Sequence, residues 1–145
     1  MTEEDKQLLL KDLSARLPYG VVCKISYTFN NETTNWEDVE STCDDIITKI
    51  NFDTKRVFSD WLSEYSSIDD VKPYLRPILS SITYEERKES AQFELDYLGP
   101  LGYDWNLLIS NSSALLDWLN SHHFDYRGLI EKGLALEAPR NMYIF

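Results

Sequence analysis

Residues 19–29 read YGVVCKISYTF, and the period of this stretch decides what kind of fold the chain can adopt. Tyr19, Val21, Cys23, Ile25, Tyr27 and Phe29 alternate with Gly20, Val22, Lys24, Ser26 and Thr28. Successive side chains of a strand point to opposite faces, so the alternation predicts a strand with one buried face. The preceding residues 2–17 follow a different rule. Leu9, Leu10, Leu13 and Leu17 recur at helical spacing, Thr2 stands in the N-cap place with Asp5 three positions on, and Pro18 stops the run. A helix that feeds a strand begins a mixed fold.

Working outward, Asn30–Ser41 (NNETTNWEDVES) is polar and rich in turn formers, which predicts an exposed loop. A second strand follows, with Ile46, Thr48, Ile50 and Phe52 facing one way and Asp53-Thr54-Lys55 as a hairpin turn. Val57, Phe58, Trp61, Leu62 and Tyr65 fit helical spacing, but their place after a turn favours a returning strand. Lys72-Pro73-Tyr74-Leu75-Arg76-Pro77 cannot be helical throughout, because each proline disfavours the helical region for the residue before it. Thr83 with Glu86 forms the pattern of a capping box, and Tyr84, Ala91, Leu95 and Leu98 share one face before Gly99-Pro100. Residues 101–111 fit neither period; Leu115, Leu116, Trp118 and Leu119 mark a further short helix, capped by Asn111, Ser112 or Ser113. The expectation is one α+β domain over 1–145: helix 2–17, a small curved antiparallel sheet or SH3-like partial barrel over about 19–65, a Pro-bounded junction 72–82, and a helical part 83–145.

Composition narrows function. A chain of 145 residues can bury a self-sufficient core, and its apolar runs are far shorter than a membrane span. The acidic start MTEEDKQLLLKDL is unlike a secretory signal, so a soluble, cytoplasmic protein is expected, with Cys23 and Cys43 reduced. The net charge of −11 is uneven: residues 1–70 carry 15 acids against 7 bases, residues 71–145 carry 10 against 7. That balance argues against direct nucleic-acid binding, which needs clustered Lys and Arg.

The chain end His122–Pro139, HHFDYRGLIEKGLALEAP, invites a metal or catalytic reading. His122 and His123 are adjacent, however, and a chelating pair needs i, i+4 spacing on a helix or i, i+2 on a strand. No metal or other cofactor is expected. A histidine base with Ser121, Asp117 or Asp125 is the catalytic alternative, a small hydrolase, but no Gly-x-Ser-x-Gly elbow or Gly-rich phosphate loop accompanies it. Capping accounts for more residues: Asp125 as N-cap, Phe124 and Leu129 as a hydrophobic staple, Gly133 as C-terminal stop, and Leu129, Ile130, Leu134 and Leu136 buried. Tyr126 and Arg127 lie outside that scheme; they are either solvated or pin the Pro73–Pro77 segment through guanidinium-to-carbonyl bonds.

LSARLPYGVVC (Leu13–Cys23), VKPYLRPILSSIT (Val71–Thr83) and DWLNSHHFDYRGLIEKGLALEAPRNMY (Asp117–Tyr143) together resemble, in the same order, a family of uncharacterised proteins encoded by gut Bacteroidales and by phages and mobile elements among them. The resemblance carries no activity or catalytic residue across. It implies a small accessory protein that binds another protein of host or phage, with the recurring blocks as scaffold. The leading expectation is therefore a non-enzymatic binding protein. Its binding candidates are Trp36, Trp61, Tyr74, Arg76, His122, His123, Tyr126 and Arg127, with Tyr27 and Tyr65 as further aromatics able to supply contact area. Besides the hydrolase, a second alternative to the binding protein is an acidic mimic of nucleic acid, whose carboxylates would stand in for phosphates.

Overall fold

A computed structural model describes residues 1–90 and 113–143 of the protein. Helix α1 (Glu3–Arg16) starts as its sequence dictates: the Thr2 hydroxyl accepts the Asp5 N–H at 3.1 Å, and the Asp5 carboxylate accepts the Thr2 N–H at 3.3 Å. A single 3₁₀ turn at Leu17–Tyr19 and Gly20, with φ of +69°, swing the chain into β1 (Val22–Phe29). β1 therefore begins three residues later than the alternation suggests.

β1 pairs antiparallel with β2 (Val39–Asn51), β2 with β3 (Arg56–Ser59), and β3 with β4 (Glu64–Ser67). The stretch from Val57 to Tyr65 is thus two strands around a turn. β5 (Val71–Leu75) returns to the other side of β1, and the two-residue β6 (Leu136–Glu137) joins β5 in parallel. The order β4-β3-β2-β1-β5-β6 describes an open, mixed, curved sheet in an α+β fold. It extends past residue 65, and the expected proline junction 72–82 begins as its fifth strand and continues into a short helix. Pro73 is tolerated there because β6 pairs with Tyr74 and Leu75 and, among the described residues, no strand lies where a proline N–H would be needed.

The expected inward set Ile46, Thr48, Ile50 is broken by a bulge. Ile47 pairs with Ser59 and Lys49 with Phe58, so one extra residue shifts the parity of β2. Ile47 is fully buried and Ile46 is 44% exposed. Beyond the sheet lie α2 (Ile78–Ser81), α3 (Tyr84–Ser90) and α4 (Ser113–Ser121). Thr83 and Glu86 form the expected capping box, with N–H bonds of 3.0 and 3.1 Å. The features expected at Ala91–Pro100, at 101–111 and at the Asn111 or Ser112 cap lie outside the described residues. No helix among the described residues is long and apolar enough to cross a membrane.

Two corrections concern the chain end. Asp125 does cap, accepting the Leu129 and Ile130 N–H groups at 2.9 Å each, but residues 128–133 form turns and not a third helix. Nor do Phe124 and Leu129 form a staple. Phe124 packs with Ile78, Leu115, Leu119 and Tyr126, whereas Leu129 joins the main core of Leu9, Leu10, Leu13, Val21, Cys23, Ile25, Ile47 and Val71.

The two cores meet around a buried ion cluster. Arg16 and Asp12, one turn apart on α1, are both fully buried. Arg16 donates to Asp12 at 2.8 and 3.1 Å and to the Phe124 carbonyl at 2.7 Å. Arg127 adds a bond to Asp12 at 3.1 Å, so it is tied to α1 and not to the Pro73–Pro77 segment. Removing one partner of a buried pair strands the other charge, at a cost of about 3–5 kcal/mol. Asp12→Ala is expected to lose an amount in that range in urea denaturation, and Arg127→Ala, whose side chain reaches solvent, about 1 kcal/mol. Near-equal losses in the two variants would contradict this division.

Candidate functional site

Around His122 and His123 the chain is committed to holding itself together. Arg76 lies at the end of β5, where its N–H donates to His123 O at 2.8 Å and its carbonyl accepts the Asp125 N–H at 2.9 Å. Its guanidinium forks onto Glu86 at 2.6 and 2.7 Å, donates to His122 O at 3.1 Å and Ser81 O at 2.9 Å, and lies 4.4 Å from the Phe124 ring centroid. Burial pushes the Glu86 carboxyl up, but the Arg76 fork, the Thr83 N–H and His122 override it and hold the group at about 2.

Both ring nitrogens of His122 face carboxylates: Nδ1 lies 2.6 Å from Glu86 and Nε2 3.4 Å from Glu89. Neither is offered to a substrate or a nucleophile, and the nearby acids are not the Asp117 or Asp125 that sequence proximity suggested. Ser121 donates to the carbonyl of Trp118. His123 is buried, with its ring stacked 3.7 Å from that of Tyr143. The Tyr143 hydroxyl in turn donates to Tyr74 O at 2.8 Å and accepts the Val22 N–H at 3.0 Å. Among the described residues no group of three or more His, Cys, Asp or Glu is arranged to hold a metal ion.

The remaining candidates divide in the same way. Tyr126 is buried between the guanidiniums of Arg16 and Arg127 and donates to Asn120 at 2.8 Å. Tyr74 donates to Asp44 at 2.8 Å, and burial together with that carboxylate pushes its phenol up to about 12. A cleft of about 750 Å³ separates residues 80–83 from 137–143, with the committed Arg76 and Tyr143 in its walls. The eight candidates therefore do not form one site, and six of them serve the scaffold.

Trp36 and Trp61 are different, being 68% and 66% exposed. Tyr27 and Phe29 continue the inward face of β1 past Ile25 but lie outside the core that covers Val21, Cys23 and Ile25. Trp61, in the β3–β4 turn, meets Tyr27 edge-on at 6.2 Å, and Phe29 lies 6.2 Å from Tyr27. Together they form an aromatic shelf on an otherwise polar end of the sheet. Asp45 positions it by accepting the Trp61 N–H at 3.0 Å and the Ser59 hydroxyl. Burial raises the Asp45 carboxyl, but those donors and the Ile46 N–H win and hold it low. Trp36 sits apart in the 30–38 loop, where Asn31 caps a 3₁₀ turn and Trp36 takes a left-handed φ of +61°, strained for a bulky side chain. Tyr65 pairs with Phe58 on the outward face of the sheet.

The segments that carry the shelf are acidic. Residues 25–48 carry six acids and no Lys or Arg, and residues 57–71 carry four acids and none. A shallow cavity of about 370 Å³ opens at the same end of β1 on the outward face, lined by Ser26, Tyr27 and Thr28 with Glu40 and Asp70. Phe29 and Asp45 escaped the sequence reading. The signal available was that the alternation of β1 runs two residues beyond the reach of the α1 leucines. Comparison of the chain with protein-family models, curated proteins and solved structures gives no match.

Burial, with the charges of Arg16, Arg76 and His122 nearby, depresses His123 to about 4 from its ordinary 6.5. The unfolded chain takes up a proton at His123 below about 6.5 that the folded chain refuses. Stability is therefore full above that pH and falls as pH drops toward 4, with a slope approaching about 1.4 kcal/mol per pH unit. Urea denaturation between pH 6.5 and 5 is expected to show this fall, and His123→Asn to flatten it. An unchanged slope in the variant would contradict the burial of a neutral ring.

Proposed function

We propose that the chain is a non-enzymatic protein-binding module. In line with its resemblance to proteins of phages and mobile elements, it acts as an accessory protein on a host or phage protein. The observation that carries this reading is the aromatic shelf of half-buried Tyr27 with exposed Phe29 and Trp61, held in place by Asp45. Large aromatics cost stability when they face water, and covering about 100 Å² of them is worth about 2.5 kcal/mol to a partner. The hydrolase alternative loses support because both nitrogens of His122 meet carboxylates and His123 is stacked and buried. The acidic segments that carry the shelf support a cationic partner, and mimicry of nucleic acid is the form this takes if that partner binds DNA.

Affinity capture from host lysate, with and without nuclease, compares wild type with Trp61→Ala. Because Trp61 is exposed, Trp61→Ala is expected to change stability by no more than about 0.5 kcal/mol while losing a partner that the wild type retains at near-equal stoichiometry. Equal capture by both proteins would remove the shelf from the binding surface.

A further inference from the structure

We infer that the free edge of β1 at Ser26–Phe29 takes up an extended, Lys- or Arg-bearing segment of a partner protein as an added strand. This rests on the protein-binding reading and specifies how the partner is held. The Val22 N–H meets the Tyr143 hydroxyl on the β5 side of β1, where Tyr74 O meets the same hydroxyl. Backbone groups of a strand alternate sides, so Lys24, Ser26 and Thr28 direct theirs to that side as well. Pairing with β5 stops at Ile25 opposite Val71, where the chain has turned through Ile68–Asp70. Among the described residues, Thr28 therefore has no strand beside its N–H and C=O.

Proteins normally blunt such an edge with Lys, Pro or a bulge, because it templates pairing with other chains. Ser26-Tyr27-Thr28-Phe29 has none of these and is built from good strand formers. The cavity lined by Ser26, Tyr27 and Thr28 lies at this edge, and Glu40 and Asp70 are in its walls. A strand added here gains main-chain hydrogen bonds, and alternate side chains reach the shelf. Charge selects the occupant. Glu40 and Asp70 stand at the edge within acidic segments, so cationic side chains pair with these acids and stack on Tyr27 and Trp61. A nucleic acid or a second copy of this chain, of net charge −11, is repelled.

Panning a phage-displayed random dodecapeptide library on the full chain tests the inference. The expected result is enrichment of peptides with Lys or Arg at alternate positions. N-methylation of the consensus peptide at alternate backbone nitrogens is then expected to weaken binding about tenfold by titration calorimetry. Thr28→Pro is expected to weaken the unmodified peptide similarly, and the N-methylated peptide makes the same test without altering the protein. No enrichment, enrichment of acidic or apolar peptides, or indifference to N-methylation overturns strand addition. Trp61-dependent capture from lysate would survive any of these results, so the two readings fail separately.

Discussion

Two guanidiniums buried inside the protein constrain everything else. Arg16, on the first helix, and Arg76, at the end of the fifth strand, each hold a carboxylate of their own and each donate to a carbonyl of the 122–124 segment. Taking a guanidinium out of water costs several kcal/mol, and it is tolerated only where a carboxylate and further acceptors meet it in good geometry. Asp12 and Glu86 supply the first requirement, and the carbonyls of Ser81, His122 and Phe124 the second. The segment between α4 and the C-terminal tail thereby becomes the internal acceptor of the fold, with His122 held between Glu86 and Glu89 and His123 stacked on Tyr143.

This arrangement concentrates cohesion at one end of the sheet. The α1 leucines cover β1 as far as Ile25, and the tail returns through Leu134, Ala135 and β6 to cover β5. Among the described residues, no helix lies over the opposite end, formed by the last residues of β1, the first residues of β2 and the β3–β4 turn. Aromatics there add little to folding, yet Asp45 spends its hydrogen bonds on orienting Trp61. A rigid scaffold at one end and a shaped, charged, partly apolar surface at the other is the division of labour expected of a binding module.

What could be read in the sequence was local. The capping boxes of Thr2 and Thr83, the leucine stripe of α1 and the alternation of β1 all depend on residues a few positions apart, and all are present. What could not be read depends on distant partners. Asp12 and Arg16 look like a surface i, i+4 pair, and they are buried because a carbonyl 108 residues away completes the cluster. The bulge after Ile47 exchanges Ile46 for Ile47 in the core, and no local signal marks it. Asp125 was identified as a cap, but the element it caps is a turn. For the candidate site, Trp61 is legible as an exposed contact aromatic and is exposed, whereas the role of Phe29 depends on where the helix cover ends.

The central claim is that residues 122–125 are locked to α1 and β5 by these buried arginines while the far end of the β1–β2 hairpin stays open. Native-state hydrogen exchange tests it directly. The amides of Arg76, Phe124 and Asp125, which bond to His123, Leu119 and Arg76, are predicted to exchange only through global unfolding, and that of Thr28 far faster. Exchange of the Phe124 and Asp125 amides through a separate, low-energy opening would show that the C-terminal segment is not the lock of the fold, and would contradict the account.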